Sequence, residues 1–210
     1  MRLFIGIGLA EEAKASLLDV LERLERFSSG ESELRWSTPE SWHVTLQFLG
    51  KTSEEQARCA VEKLGTVRAE RVPVRIEGLG FFERAGVFWA GVALTPELLA
   101  LQQKVVTATR GCGFVSEERV YRPHITLARV KGRAGGRAPA PLQKAVERSH
   151  PVRGLRVDKD GASGGWVQAE FKAEEFLLYE SIPGAGGSRY EERARYPLAN
   201  SVERFDKTRG

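Results

Sequence analysis

His43-Val44-Thr45-Leu46 and His124-Ile125-Thr126-Leu127 are one phrase written twice, 81 residues apart. The chain has three histidines, and two of them stand in these tetrapeptides. On a β-strand, residues i and i+2 point to the same face. His43 and Thr45 therefore project together, as do His124 and Thr126. Val44, Leu46, Ile125 and Leu127 turn the other way, toward a core. The alternation is that of a half-buried strand, with packing on one face and polar chemistry on the other. A lone His-x-Thr on a strand reads as a satisfied polar pair. Two of them at equivalent points of a repeated unit read as two imidazoles facing one site.

The repeat extends beyond the tetrapeptides. Arg2–Leu9 reads as a strand, and Glu11–Phe27 as a helix with Leu17, Leu21 and Leu24 on one stripe. A short strand at Leu34-Arg35-Trp36 leads through Pro39 to the strand Trp42–Leu49, which Gly50 ends. The same order restarts at Val87. Val87–Leu94 is a strand, Thr95-Pro96 caps a helix that runs to Arg110, and Gly111 and Gly113 stop it. Phe114-Val115 reads as a short strand, and Pro123 leads into the strand His124–Val130. A helix follows each motif: Glu54–Leu64, with Ser53 and Gln56 at capping-box spacing, and Leu142–Arg148. Further strands are predicted at Val72–Gly78, Val152–Val157, Trp166–Phe171, Glu175–Ile182 and Arg195–Ala199. Gly161–Gly165 reads as a hairpin tip and Gly184–Ser188 as a flexible loop.

Strands joined by hairpins, with helices between them, predict an α+β fold with antiparallel sheets. The expected architecture is bilobal: two pseudo-symmetric lobes, each a small antiparallel sheet with outer helices, and an active-site cleft between them. Residues 1–202 are expected to form one domain of two interleaved lobes, with 203–210 a frayed tail.

Two imidazoles and two hydroxyls facing one another suit displacement at phosphorus. Histidine titrates near neutrality, so one ring can accept a proton while the other donates one. The threonine hydroxyls can hold the non-bridging oxygens, where negative charge resides. The two rings manage the protons directly, so neither metal nor cofactor is expected. The competing reading, zinc held by His43, His124 and His150, lacks an accompanying cluster of acidic ligands, and His150 reads as a surface residue before Pro151.

The bulk numbers fit this picture. With 210 residues, 41% hydrophobic and 29% charged, the chain has the composition of a soluble globular protein. The apolar run from Leu3 to Ala10 is too short to span a bilayer and meets Glu11 and Glu12 at once, so it is expected to open the fold rather than serve as a leader. Cys59 and Cys112 alone make no disulfide framework. Cys59 is expected as a small core residue, and a reducing cytoplasm as the compartment. The net charge is +4, but six cations and no acid lie between Arg119 and Arg137, around the second motif. Such a run is commonly a solvated face; beside a histidine pair it suggests an anionic substrate.

With these residues in hand, the chain resembles the 2H phosphoesterase superfamily. Arg2-Leu3-Phe4-Ile5, Trp42 through Gly50 and Arg122-Pro123-His124-Ile125-Thr126-Leu127-Ala128-Arg129 are similar to its RNA 2',3'-cyclic phosphodiesterase branch, long called 2'-5' RNA ligase. Tyr179-Glu180-Ser181, Tyr190 and Tyr196-Pro197-Leu198 resemble that branch's closing segment. The resemblance implies hydrolysis of 2',3'-cyclic phosphate ends on RNA to 2'-phosphomonoesters, with 2'-5' ligation as the reverse. It also implies His43 as proton donor to the 3' oxygen and His124 as the base that activates water, an assignment that the symmetric motifs leave open. Thr45 and Thr126 are the expected phosphate-binding hydroxyls. Arg129 matches a family arginine that contacts the phosphate. Strict alternation would turn Arg129 away from the histidine face, and a bulge or the strand's end before Gly132 would turn it back. Phe48 has the same parity and is expected in the core. Phe82, Trp36 and Tyr190 are candidates to stack a terminal base, with plain packing as the alternative. The expected partner is RNA bearing a cyclic phosphate end, with no membrane and a monomeric protein. Two other functions stay open: a phosphodiesterase acting on a small cyclic nucleotide or ADP-ribose cyclic phosphate, and an RNA-binding module with little catalysis.

Overall fold

The first strand, β1 (Arg2–Gly8), sets the pattern for both sheets. Leu3, Ile5 and Ile7 enter the core, while Phe4, Gly6 and Gly8 face the opposite side. The structure is a computed structural model and describes residues 1–26, 34–115, 119–131, 140–149, 168–184 and 187–199. The elements following β1 are α1 (Glu11–Arg26), β2 (Leu34–Trp36), β3 (His43–Lys51), α2 (Glu54–Leu64), β4 (Val72–Phe82) and β5 (Val87–Val92). Then come α3 (Pro96–Arg110), β6 (His124–Val130), α4 (Ala140–Ser149), β7 (Gln168–Ala173), β8 (Glu175–Gly184) and β9 (Gly187–Pro197).

The strands form two sheets, β3-β1-β8-β9 and β2-β6-β5-β4-β7, in which every paired neighbour is antiparallel. In each sheet a histidine strand lies beside the strand that precedes it across a helix: β3 beside β1, β6 beside β5. The next two places are filled by β8-β9 in one sheet and β4-β7 in the other, so four strands of each sheet correspond and β2 is an extra edge strand of the second. The chain interleaves them. After β3 it crosses to β4 in the second sheet, and after β7 it returns to β8 in the first. The helices are exchanged too: α1 packs on β7 and α4, and α3 touches both β3 and β4. One core joins both sheets to the helices, from Leu17 and Leu24 of α1 to Leu98, Leu101 and Val105 of α3. The α+β, two-sheet architecture is thus the expected one.

Local chemistry explains the helix starts. Ser53 Oγ accepts from the Gln56 amide at 3.1 Å while Gln56 Oε1 accepts from the Ser53 amide at 3.1 Å, a complete capping box. Thr95 Oγ1 accepts from the Leu98 amide at 3.2 Å, with Pro96 in the first turn. Among the described residues no helix is long and apolar enough to cross a membrane.

Several local expectations need correction. Phe114-Val115 is not a strand: Phe114 is buried, but among the described residues its backbone joins no sheet, so β3 is left at the edge of its sheet whereas β6 is covered by β2. Glycines at 184 and 187 belong to the β8–β9 hairpin rather than to a loop, and the last strand begins eight residues earlier than expected, at Gly187. Cys59 and Cys112 are not free thiols. They form a disulfide with Cα atoms 5.7 Å apart, because α2 and α3 lie side by side and bring together residues 53 positions apart. Spacing alone carried no sign of that packing, and the pair no longer argues for a reducing compartment. The expected strand 152–157, the hairpin tip 161–165, His150, Arg133, Arg137 and the tail 203–210 lie outside the described residues.

Candidate active site

Both motifs occupy one backbone shape. Along β3 the burial runs half-buried His43, buried Val44, half-buried Thr45, buried Leu46, buried Gln47, exposed Phe48. Along β6 it runs half-buried His124, buried Ile125, half-buried Thr126, buried Leu127, buried Ala128, exposed Arg129. The alternation breaks at the same place in each. Thr45 pairs with Gly6 and Gln47 with Ile5, so Leu46 is an extra residue. Thr126 pairs with Trp89 and Ala128 with Phe88, so Leu127 is its equivalent. These are β-bulges, and each one re-aims the residues after it. Arg129 is thereby returned to the histidine face. Phe48 is returned too: it is 55% exposed and its ring lies 6.2 Å from that of Phe4, not in the core. Strict period-2 reading placed it wrongly because parity does not survive a bulge.

The two faces meet. The strands β3 and β6 contact one another across the sheets, and a charge on His124 is felt at His43. The Arg129 charge reaches both rings. Tyr121, just before the second motif, donates its hydroxyl to the Thr45 carbonyl at 3.0 Å and ties the two motifs together. On the other side of β3, the Thr109 hydroxyl of α3 lies 2.8 Å from Gln47 Oε1, anchoring the bulged segment.

Each imidazole is held in the same way. His43 Nδ1 lies 2.8 Å from the Ser41 carbonyl, and His124 Nδ1 lies 2.8 Å from the Arg122 carbonyl. A carbonyl can only accept, so Nδ1 carries the proton in both rings and donates it. The Nε2 atoms are left for chemistry. Neutral Nε2 can take a proton, and protonated Nε2 can give one. Burial pushes the His43 pKa down to about 4, with the Ser41 bond opposing the shift and the His124 and Arg129 charges adding to it. Burial lowers His124 as well; the Arg122 carbonyl opposes this and Arg129 reinforces it. Both shifts favour the neutral form of each ring at pH 7.

Aromatic rings complete the walls. His43 sits against Phe4 at 4.5 Å, Tyr190 at 5.1 Å and Tyr179 at 6.1 Å between centroids. His124 meets Phe82 edge-on at 5.0 Å and Trp89 at 6.3 Å. Gly6 makes room beside His43: a Cβ there would stand 3.0 Å from the Val44 carbonyl and 3.4 Å from the imidazole. Of the three aromatics named from sequence, Tyr190 and Phe82 touch the histidines. Trp36 instead packs edge-on to buried Phe88 on the core side. Phe4, Tyr179, Trp89 and Tyr121 were not singled out for the site. Phe4 could have been, since it alternates with the core residues Leu3 and Ile5; nothing in the sequence pointed to Tyr121.

Fold and site together define a bilobal α+β protein with a two-histidine cleft. The sequence profile of the 2'-5' RNA ligase superfamily matches residues 12–179, and the chain belongs to that family. The RNA 2',3'-cyclic phosphodiesterase of Aeropyrum pernix is 38% identical over 97 residues, 44% of this chain and 55% of that protein. The protein of the same name from Thermotoga maritima is 34% identical over 137 residues, 62% of this chain and 71% of that one. Similarity to the first of these thus spans little more than half of the relative's length. Escherichia coli LigT, in a crystal structure with 3'-AMP, matches with a TM-score of 0.69 and 24% identity, over 95% of this chain and 98% of LigT. That likeness concerns the fold.

Proposed function

We propose that this chain hydrolyses 2',3'-cyclic phosphate ends on RNA to 2'-phosphomonoesters without a metal ion. The observation that carries the reading is the pair of equivalent bulged strands, which present two Nε2 atoms and one guanidinium to the same cleft. The names of the Aeropyrum and Thermotoga relatives support the substrate class. In the proposed reaction His124 Nε2 takes a proton from water as the water oxygen bonds to phosphorus. The bond from phosphorus to O3' breaks, and His43 Nε2 protonates the departing oxygen. Thr45, Thr126 and Arg129 hold the non-bridging oxygens. With a ribose 5'-hydroxyl in place of water as the nucleophile, the same steps form a 2'-5' linkage, the minor course in water. The protein acts as a monomer in the cytoplasm and takes no cofactor.

His43 must gain its proton against burial. The negative charge of a bound phosphate supplies the compensation, since an anion beside an imidazole favours the charged ring. The test is incubation with an oligonucleotide ending in a 2',3'-cyclic phosphate, in EDTA. A 2'-phosphate product is expected. A 3'-phosphate would reverse the histidine roles, and loss of turnover in EDTA with recovery in zinc would end the metal-independent reading.

A further inference from the structure

On the edge of the second sheet, β2 pairs with β6 so that Arg35 lies directly opposite Arg129 and Trp36 opposite Ala128. Directly opposite residues of an antiparallel pair share a face. The packing bears this out. Trp36, Ala128 and Phe88, which are cross-strand neighbours, all lie on the core side, as do Leu34 and Val130. Arg35, Arg129 and Val87 form the adjacent row on the opposite face, the one that carries His124 and Thr126. Two like charges placed directly opposite cost stability unless something answers them. Among the described residues neither arginine has a carboxylate partner. Gly187, the first residue of β9, approaches Arg35 from the first sheet: a Cβ there would stand 3.7 Å from Arg35 Nε and 3.8 Å from its Cζ. Arg35 therefore leaves β2 on the cleft face, in the same row as Arg129, with its guanidinium next to Gly187.

We infer that Arg35 binds the internucleotide phosphate preceding the cyclic end, so that Arg129 and Arg35 read two successive charges of an RNA strand. Paired Cα atoms across an antiparallel ladder stand about 5 Å apart, and two long side chains leaving the same face can splay further. That spread suits two separate anions better than two guanidiniums on one phosphate. The inference rests on the RNA reading above and adds a preference for oligonucleotides over mononucleotides.

The experiment compares the wild type, R35A and R35K on 2',3'-cyclic AMP and on an RNA hexamer ending in a 2',3'-cyclic phosphate. Arg35 is exposed, so its removal leaves the fold intact. R35A is expected to lower kcat/KM on the hexamer by about tenfold, through KM, and to change it by less than about twofold on the mononucleotide. The salt dependence of hexamer KM should lose about 0.7 of a logarithmic unit per unit, the signature of one phosphate contact on a single strand. R35K should recover most of the loss, because a lysine still supplies a charge. Equal losses on both substrates would place Arg35 on the terminal phosphate and overturn the inference, as would an unchanged hexamer rate. Failure of the wild type to cleave either substrate would overturn the proposed function itself.

Discussion

Five residues after His43 the cleft receives Phe48; five residues after His124 it receives Arg129. The two strands are otherwise alike: the same bulge position, the same carbonyl two residues back on Nδ1, the same half-buried threonine. The surroundings differ. His43 is boxed by Phe4, Tyr179 and Tyr190, and His124 by Phe82 and Trp89 beside a permanent cation. A repeated backbone supplies a matched pair of rings, and the side chains around them make the two halves unequal. The bulge is what allows this, because it brings a sixth position onto the histidine face where the halves can diverge.

The largest effects should fall on the matched part. His43→Ala and His124→Ala should each lower kcat by about 10²–10⁴-fold with the circular dichroism spectrum unchanged. A phosphodiester carrying a p-nitrophenolate leaving group separates the two roles. That anion leaves without a proton, so H43A should lose little on it while H124A still loses heavily. Equal losses would break the donor and acceptor assignment.

Next comes the unmatched pair. R129A should lower kcat/KM by about 10²-fold, since the proposed ionic donor to the phosphate is removed. F48A should lower it by less than about tenfold. Arg129 also lowers the pKa of both histidines, so R129A should shift the alkaline limb of the pH–rate profile, where His43 loses its proton, to higher pH. Comparable rate losses in the two variants would mean that the ring of Phe48 matters to the substrate as much as the charge of Arg129.

Much of this was legible from residues. Thr95-Pro96 and Ser53-x-x-Gln56 fixed the starts of α3 and α2, because capping is local chemistry. The His-x-Thr alternation identified the chemical face. What could not be read depends on tertiary pairing. A bulge is a property of two strands, so strict alternation misplaces Phe48 and leaves the face of Arg129 open. The exchange of helices between sheets, which brings Cys59 to Cys112 and Thr109 to Gln47, leaves no periodic trace.

The smallest effect on catalysis should come from that exchange. Replacing both Cys59 and Cys112 with alanine should cost about 2–4 kcal/mol of unfolding free energy, read from denaturant melts, with kcat unchanged. A fall in kcat would mean that the joint between α2 and α3 also sets the spacing of the motifs. Acid offers a further check. Because the folded pKa of His43 lies below its ordinary value, the stability it contributes is present above pH 6.5 and is lost as pH falls toward 4. His43→Asn should therefore flatten the pH dependence of stability in that window.

The mechanism starts from both rings neutral, with Nδ1 protonated and Nε2 open to the cleft. With only three histidines in the chain, ¹⁵N-resolved NMR of the imidazoles can test it directly. At pH 7, without ligand, His43 and His124 should both appear as the neutral Nδ1–H tautomer and should titrate only below pH 6.5. Finding either ring as the Nε2–H tautomer, or already protonated at pH 7, would contradict the account.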